Sequence, residues 1–233
     1  MRIILFILGA LLIAVVLYWG ITFYLTVQVS KKIIGSTEPY KKVGTDERAV
    51  LVLGDSTAVG IGAASPEESV AGRVSKYLDA TAVENYARSG ARTKELPAQS
   101  VKAEFSQYRL ILIQTGGNDI IRFQSAESAA EELRAAIAAL PPAERVVIIS
   151  AGDVGGATLF PFPVRPFHTK LNKEYHDAFA RVAEETGVTY VNFGNAPATE
   201  EINKRPDIYL AKDGLHPSSE GYRLWFETIR PSL

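Results

Sequence analysis

The chain opens on an unbroken apolar run. From Ile3 to Val27, "IILFILGALLIAVVLYWGITFYLTV", the only polar side chains apart from the tyrosine hydroxyls and the indole are Thr22 and Thr26. At a rise of about 1.5 Å per residue, a helix of this length exceeds a hydrocarbon core of about 30 Å. Tyr18, Trp19, Phe23 and Tyr24 gather toward its C-terminal end, as interfacial aromatics do. A cleaved signal peptide has a shorter apolar core and a small-x-small cleavage site, and no convincing site follows this run. A buried core helix would be unusually long and uniformly apolar. Residues 1–29 therefore read as an uncleaved transmembrane anchor. Residues 30–48, "SKKIIGSTEPYKKVGTDER", are charged and interrupted by Gly35, Pro39 and Gly44, the composition of a juxtamembrane linker.

Beyond residue 48 the pattern changes to short apolar runs that alternate with helical spacing, one domain over 49–233. "AVLVLGD" (49–55) is a continuous apolar run, as expected of a strand buried on both faces. "TAVENYA", "YRLILIQTG", "RVVIISAG" and "VTYVNF" are four further strand candidates. Helical spacing occupies 67–79. "SAESAAEELRAAIAALPP" is a helix with Ser125 as N-cap and Pro141 at its close. "HTKLNKEYHDAFARVAEETG" is a helix ending at Gly187, and "PSSEGYRLWFETIR" is a terminal helix that Pro217 is placed to start. Strand–helix alternation predicts a parallel sheet with helices on both faces, whose sites form at the C-terminal ends of the strands.

Composition narrows the chemistry. The 25 basic and 26 acidic residues nearly cancel and no long basic stripe occurs, so nucleic acid is not an expected partner. Cysteine is missing, which excludes disulfides, thiolate metal sites and a cysteine nucleophile. A histidine-dependent mechanism has three candidates, His168, His176 and His216.

Three strand ends and a segment near the C-terminus carry polar or glycine-rich blocks. Ser56 follows the first strand in "LVLGDSTAVGIG". Gly90 lies in "NYARSGART", Asn118 in "QTGGNDI", and Asp213 with His216 in "KDGLHPSSEGY". A Gly-Asp-Ser after a strand is by itself most often a turn. The other blocks meet the needs of acyl transfer. His216 can act as base for the Ser56 hydroxyl. Asp213, three residues earlier, can hold the imidazole in the right tautomer through one tight turn. The Gly90 N–H, the Asn118 amide and the Ser56 N–H can serve a developing oxyanion.

Together these blocks resemble the four motif blocks of the SGNH (GDSL) hydrolases, in order, over about residues 49–230. Thr57 stands where that family's name has leucine, at a position the chemistry does not use. The resemblance implies a flavodoxin-like, three-layer α/β/α fold with a five-stranded parallel sheet, here preceded by one transmembrane helix. It implies Ser56 as nucleophile, His216 as base, Asp213 as its partner, and Ser56, Gly90 and Asn118 as the oxyanion hole, with no metal or organic cofactor. The reading is a membrane-anchored serine esterase or lipase whose partners are an ester substrate, lipid or glycan, and the membrane through residues 3–27. Two alternatives stand beside it: an O-acetylesterase acting on an envelope glycan, and a catalytically idle binding module on the same fold. The larger α/β-hydrolase pattern Gly-x-Ser-x-Gly fails at Ala58. The family's habit of acting on extracellular and envelope esters places the domain outside the cytoplasm, whereas Lys31, Lys32, Lys41 and Lys42 favour the opposite orientation.

The remaining polar residues have plainer readings. His168 and His176 are expected at the surface or in helix packing. Asp55 is expected as a turn and helix-entry residue, Asp119 as a loop brace, and Glu131 and Glu132 on a solvated helix face. Residues 152–168, "GDVGGATLFPFPVRPFH", are either a surface loop or a wall of the substrate pocket.

Overall fold

The computed structural model describes residues 2–194 and 196–233, except the side chain of Leu5. The elements in chain order are α1 (Arg2–Ser36), β1 (Val50–Gly54), α2 (Ser56–Val59), α3 (Val70–Tyr77), β2 (Val83–Asn85), α4 (Leu96–Ser100), β3 (Leu110–Thr115), α5 (Gly117–Ile121), α6 (Ala126–Ala138), β4 (Val146–Ser150), α7 (Arg165–Thr186), β5 (Thr189–Val191), α8 (Pro197–Lys204), α9 (Pro206–Tyr209) and α10 (Ser219–Ile229).

All four strand pairings are parallel, in the order β2-β1-β3-β4-β5. The alternation of strand residues decides the layers. Leu51, Leu53, Ile111, Ile113 and Ile148 face one side and pack with α6 and α7 through Leu133, Tyr175, Phe179 and Val182. Val50, Val52, Leu110, Leu112, Val147 and Ile149 face the other and pack with α3 and α10 through Val70, Val74, Tyr222 and Trp225. Each fully buried strand leucine or isoleucine contributes about 1.5–3 kcal/mol, so a sheet covered on both faces suits these continuous apolar runs. The order reverses direction between β1 and β3, and the crevice beyond the strand ends at such a point is where ligands bind.

Helix boundaries follow local chemistry. Ser125 caps α6 by accepting from Ser128 N at 3.3 Å, and Gly187, at φ +71°, closes α7. The last helix begins later than the sequence suggests: Ser218 caps it, accepting from Gly221 N at 3.2 Å, and Pro217 stays outside.

At the N-terminus α1 continues past residue 29 to Ser36, into the stretch that reads as linker. Inside it Thr26 returns its hydroxyl to the Thr22 carbonyl at 2.9 Å, which satisfies a polar group without leaving the helix. The rest of the linker is docked as well. Lys42 pairs antiparallel with Val83, through N–H···O contacts of 3.1 and 2.9 Å, and so covers part of the exposed edge of β2.

Candidate active site

Strand β1 delivers Ser56 through a tightly constrained end. Gly54 has φ +136°, and a Cβ there would collide with the Gln114 carbonyl on the neighbouring strand. The buried side chain of Gln99 clamps the same residue. Gly54 N donates to its Oε1 at 2.7 Å, and its Nε2 donates to the Gly54 carbonyl at 2.8 Å. Asp55 then caps α2, accepting from the Thr57 N–H at 2.9 Å and hydroxyl at 2.8 Å. Burial pushes the Asp55 carboxyl up to about 6, against the lowering effect of those bonds. Ser56 is the first helical residue, and its N–H has no partner among the described contacts.

The loop after β2 presents Gly90. Ala91 N donates to the Arg88 carbonyl at 3.0 Å, closing a four-residue turn with Gly90 in third place at φ +78°. That angle is the one a type II turn requires there, so glycine is favoured for backbone reasons. The Gly90 N–H is likewise unpartnered among the described contacts. Asn118, in α5, donates through Nδ2 to the Ala91 carbonyl at 3.1 Å. An amide nitrogen carries two hydrogens, so one orients the side chain on the Gly90 loop and the other remains for a ligand. Asp119 braces this arrangement from behind, its Oδ2 accepting from the Thr93 N–H at 3.0 Å and hydroxyl at 2.9 Å.

The loop between α9 and α10 brings Asp213 to His216. A turn closed by Gly214 N on the Ala211 carbonyl, with Ala211 N on the His216 carbonyl, folds the segment back on itself. His216 Nδ1 lies 2.6 Å from Asp213 Oδ2. Asp213 Oδ1 accepts from the backbone N–H groups of Leu215 and His216, both at 3.1 Å. Burial alone would raise the Asp213 carboxyl, but the bonds from the His216 ring and these two N–H groups bring it down to about 2. An ionised Asp213 keeps the proton on Nδ1 and leaves Nε2 as an acceptor.

Ser56, Gly90, Asn118 and His216 line one pocket of about 220 Å³, which Asp213 supports from behind without lining it. No hydrogen bond joins the Ser56 hydroxyl to His216 among the described contacts; such bonds commonly tighten only when substrate binds. The rest of the lining is largely apolar, with Ile121, Val154, Ile202, Leu210, Leu215 and Trp225. Residues 152–168 divide between the two expected roles. Gly152, Asp153, Val154 and Ala157 line the pocket, Phe160 packs against the core, and Phe162 and Phe167 are exposed.

The other two histidines are buried helix-packing residues. His168 lies between the rings of Phe123 and Phe160, with centroids 4.9 and 4.6 Å away. His176 bonds Ser150, Asn172 and Tyr190, and burial depresses it to about 4. Two contributors escaped the sequence reading. Gln99 announces itself only as a polar residue in "LPAQS", and Ser30 with Ile34 enters the pocket from α1. Continued helical spacing past Val27 was the available signal for the second.

Residues 52–224 match the GDSL-like Lipase/Acylhydrolase family. A GDSL-like esterase of Mycobacterium tuberculosis is 27% identical over 187 residues, covering 75% of this chain and 58% of the relative, so the chain spans less than two thirds of that protein. A lipolytic protein of the G-D-S-L family from Veillonella parvula superposes with a TM-score of 0.63 at 18% identity, over 79% of this chain and 97% of the other. Phospholipase A1 from Streptomyces albidoflavus superposes at 0.58 with 16% identity, over 80% and 99% of the two chains. At these identities the structural likeness concerns the fold.

Proposed function

The chain belongs to the GDSL-like lipase/acylhydrolase family, and we propose that it is a membrane-anchored serine esterase that cleaves carboxylic acyl esters through an acyl-enzyme on Ser56. The observation that carries this reading is the His216–Asp213 bond of 2.6 Å behind a pocket that Ser56, Gly90, Asn118 and His216 share.

In the proposed reaction Ser56 Oγ bonds to the ester carbonyl carbon while His216 Nε2 takes its proton. The oxyanion accepts from Ser56 N, Gly90 N and Asn118 Nδ2. The imidazolium, held by Asp213, passes its proton to the departing alkoxide as the C–O bond breaks. Water then attacks the acyl-enzyme with His216 again as base, which releases the acid and restores Ser56. The apolar lining suits an acyl chain better than an acetyl group on a glycan, which supports the esterase or lipase reading over the O-acetylesterase one. Helix α1 is long and apolar enough to cross a membrane, and in this proposal it holds the domain on the extracytoplasmic side.

A fluorophosphonate probe tests the core of the proposal: the full chain labels and hydrolyses p-nitrophenyl esters, and Ser56→Ala does neither while keeping its circular dichroism. Labelling that survives Ser56→Ala would overturn the assignment. A single cysteine introduced into this thiol-free chain, challenged in intact cells with an impermeant maleimide, reads the side.

A further inference from the structure

The C-terminal turns of α1 do not stand free of the domain. Thr26, Val27, Ser30, Ile33, Ile34 and Thr37 are buried or half-buried, whereas Gln28, Val29, Lys31, Lys32, Gly35 and Ser36 between them are exposed. That is the i, i+3/i+4, i+7 spacing of one helix face laid against a partner. Three recesses show what the face meets. Thr26 shares one with Thr158, Leu159 and Leu210. Ile33 and Thr37 share another with Ala63 and Ala211. Between them, Ser30 and Ile34 line the same pocket as Ser56 and His216. Ser30 is only 8% exposed; its neighbour Val29 is 38% exposed.

We propose that these turns of α1 are part of the substrate site, with Ser30 and Ile34 forming a wall that sets the acyl chain accepted, and that the pocket takes esters resident in the bilayer. The inference rests on the hydrolase reading of Ser56. Its geometry follows from the helix rise: the apolar helical stretch Ile3–Leu25 is about 35 Å long, enough for a hydrocarbon core, and Ser30 lies about 8 Å further along the axis. A continuous helix thus carries the pocket wall to the level of the lipid headgroups. An acyl chain leaving the bilayer beside α1 meets Ile34 and the apolar lining before its ester reaches Ser56.

The test uses the full chain in lipid nanodiscs with p-nitrophenyl esters from acetate to palmitate. Ile34→Trp is expected to lower kcat/KM for the decanoate and longer esters about tenfold or more, and for acetate less than about threefold. Val29→Trp, of equal bulk on the exposed face of the same helix, is expected to leave the profile unchanged. Because a large side chain can disturb packing, a second pair is needed. Ser30→Cys and Val29→Cys each introduce the sole thiol of the chain. Alkylation is expected to abolish decanoate hydrolysis in Ser30→Cys only, and bound decanoate product is expected to protect only that thiol. Equal profiles for Ile34→Trp and Val29→Trp, or equal responses of the two thiols, overturn the proposal while wild type still turns over. Wild type that neither labels with fluorophosphonate nor cleaves any ester overturns the hydrolase reading, and this inference with it.

Discussion

His216 Nδ1 stands 2.6 Å from Asp213 Oδ2, and Asp213 is fully buried. A buried carboxylate is costly unless it is hydrogen-bonded. Here the His216 ring and two backbone N–H groups supply the bonds, and the group stays ionised down to about pH 2 despite its burial. Since its folded value lies below the unfolded 3.8, its contribution to stability is present above about pH 4 and is lost as pH falls toward 2.

Asp213→Asn keeps the shape but removes the charge that stabilises imidazolium, and its amide can select the wrong ring tautomer. The expected loss is of order 10²- to 10⁴-fold in kcat. Steady-state hydrolysis of a short p-nitrophenyl ester measures it, and a loss below about threefold would show that the carboxylate plays no part.

Gln99→Leu should weaken the fold and the site together. It leaves the Gly54 N–H unpaired at a buried strand end, while the Gly54 carbonyl keeps the Arg88 N–H at 3.1 Å; one unpaired buried donor costs about 1–3 kcal/mol. The measurement is chemical denaturation of the full chain in detergent, followed by Trp225 fluorescence with Trp19 replaced by Phe in both proteins. An unshifted midpoint would mean that Gly54 finds other partners.

The centre of the sheet was legible because β1, β3 and β4 are apolar runs that parallel burial explains, and the Ser56, Gly90 and Asn118 blocks follow the ends of β1, β2 and β3. The Asp213–His216 pair was legible because three residues close one turn. What hydropathy does not record is which surface a helix meets. The apolar run stops near Val27, yet α1 goes on to Ser36 because Ser30, Ile33 and Ile34 find a partner in the folded domain. Gln99 was hidden for a related reason: its role depends on Gly54, 45 residues away in the chain. His168 and His176 gave no sign of how deeply they are buried, since helical spacing around them is mostly polar.

His176 should make stability pH-dependent. Asn172 Oδ1 accepts from Val154 N at 3.1 Å, so its Nδ2 donates to His176 Nε2 at 2.9 Å. The ring is then neutral, with its proton on Nδ1 toward Tyr190 or Ser150. A protonated Nε2 would confront the Asn172 donor. With the folded value near 4 and the unfolded near 6.5, this contribution is full above pH 6.5 and is lost as pH falls toward 4. The fall corresponds to about 3 kcal/mol at most. Asp55 acts oppositely: its raised value favours the fold at low pH, and that benefit is lost as pH rises through about 6. The wild-type curve therefore mixes both. His176→Gln isolates the first: it should be less stable than wild type at pH 8, and the gap should narrow on acidification to pH 4. A constant gap would contradict the assigned tautomer.

Asn118 and Asp119 are adjacent, yet they should fail differently. Asn118→Ala removes a proposed oxyanion donor, so kcat should fall about 10²- to 10³-fold with little change in KM. Asp119 only braces the loop through Thr93, using Oδ2 for both bonds and leaving Oδ1 buried without a partner among the described contacts. Burial raises its carboxyl, against those bonds from Thr93, so ionisation is a burden to the fold rather than a requirement. An asparagine there still offers one oxygen to Thr93. Asp119→Asn should accordingly retain kcat within about threefold, whereas Asp119→Ala, which leaves the Thr93 donors unpaired, should lower both stability and kcat by letting the Gly90 loop shift. Kinetics and thermal denaturation of the three variants decide between the roles. If Asp119→Asn loses as much kcat as Asp213→Asn, the charge at 119 takes part in the reaction, and its assignment as a brace is wrong.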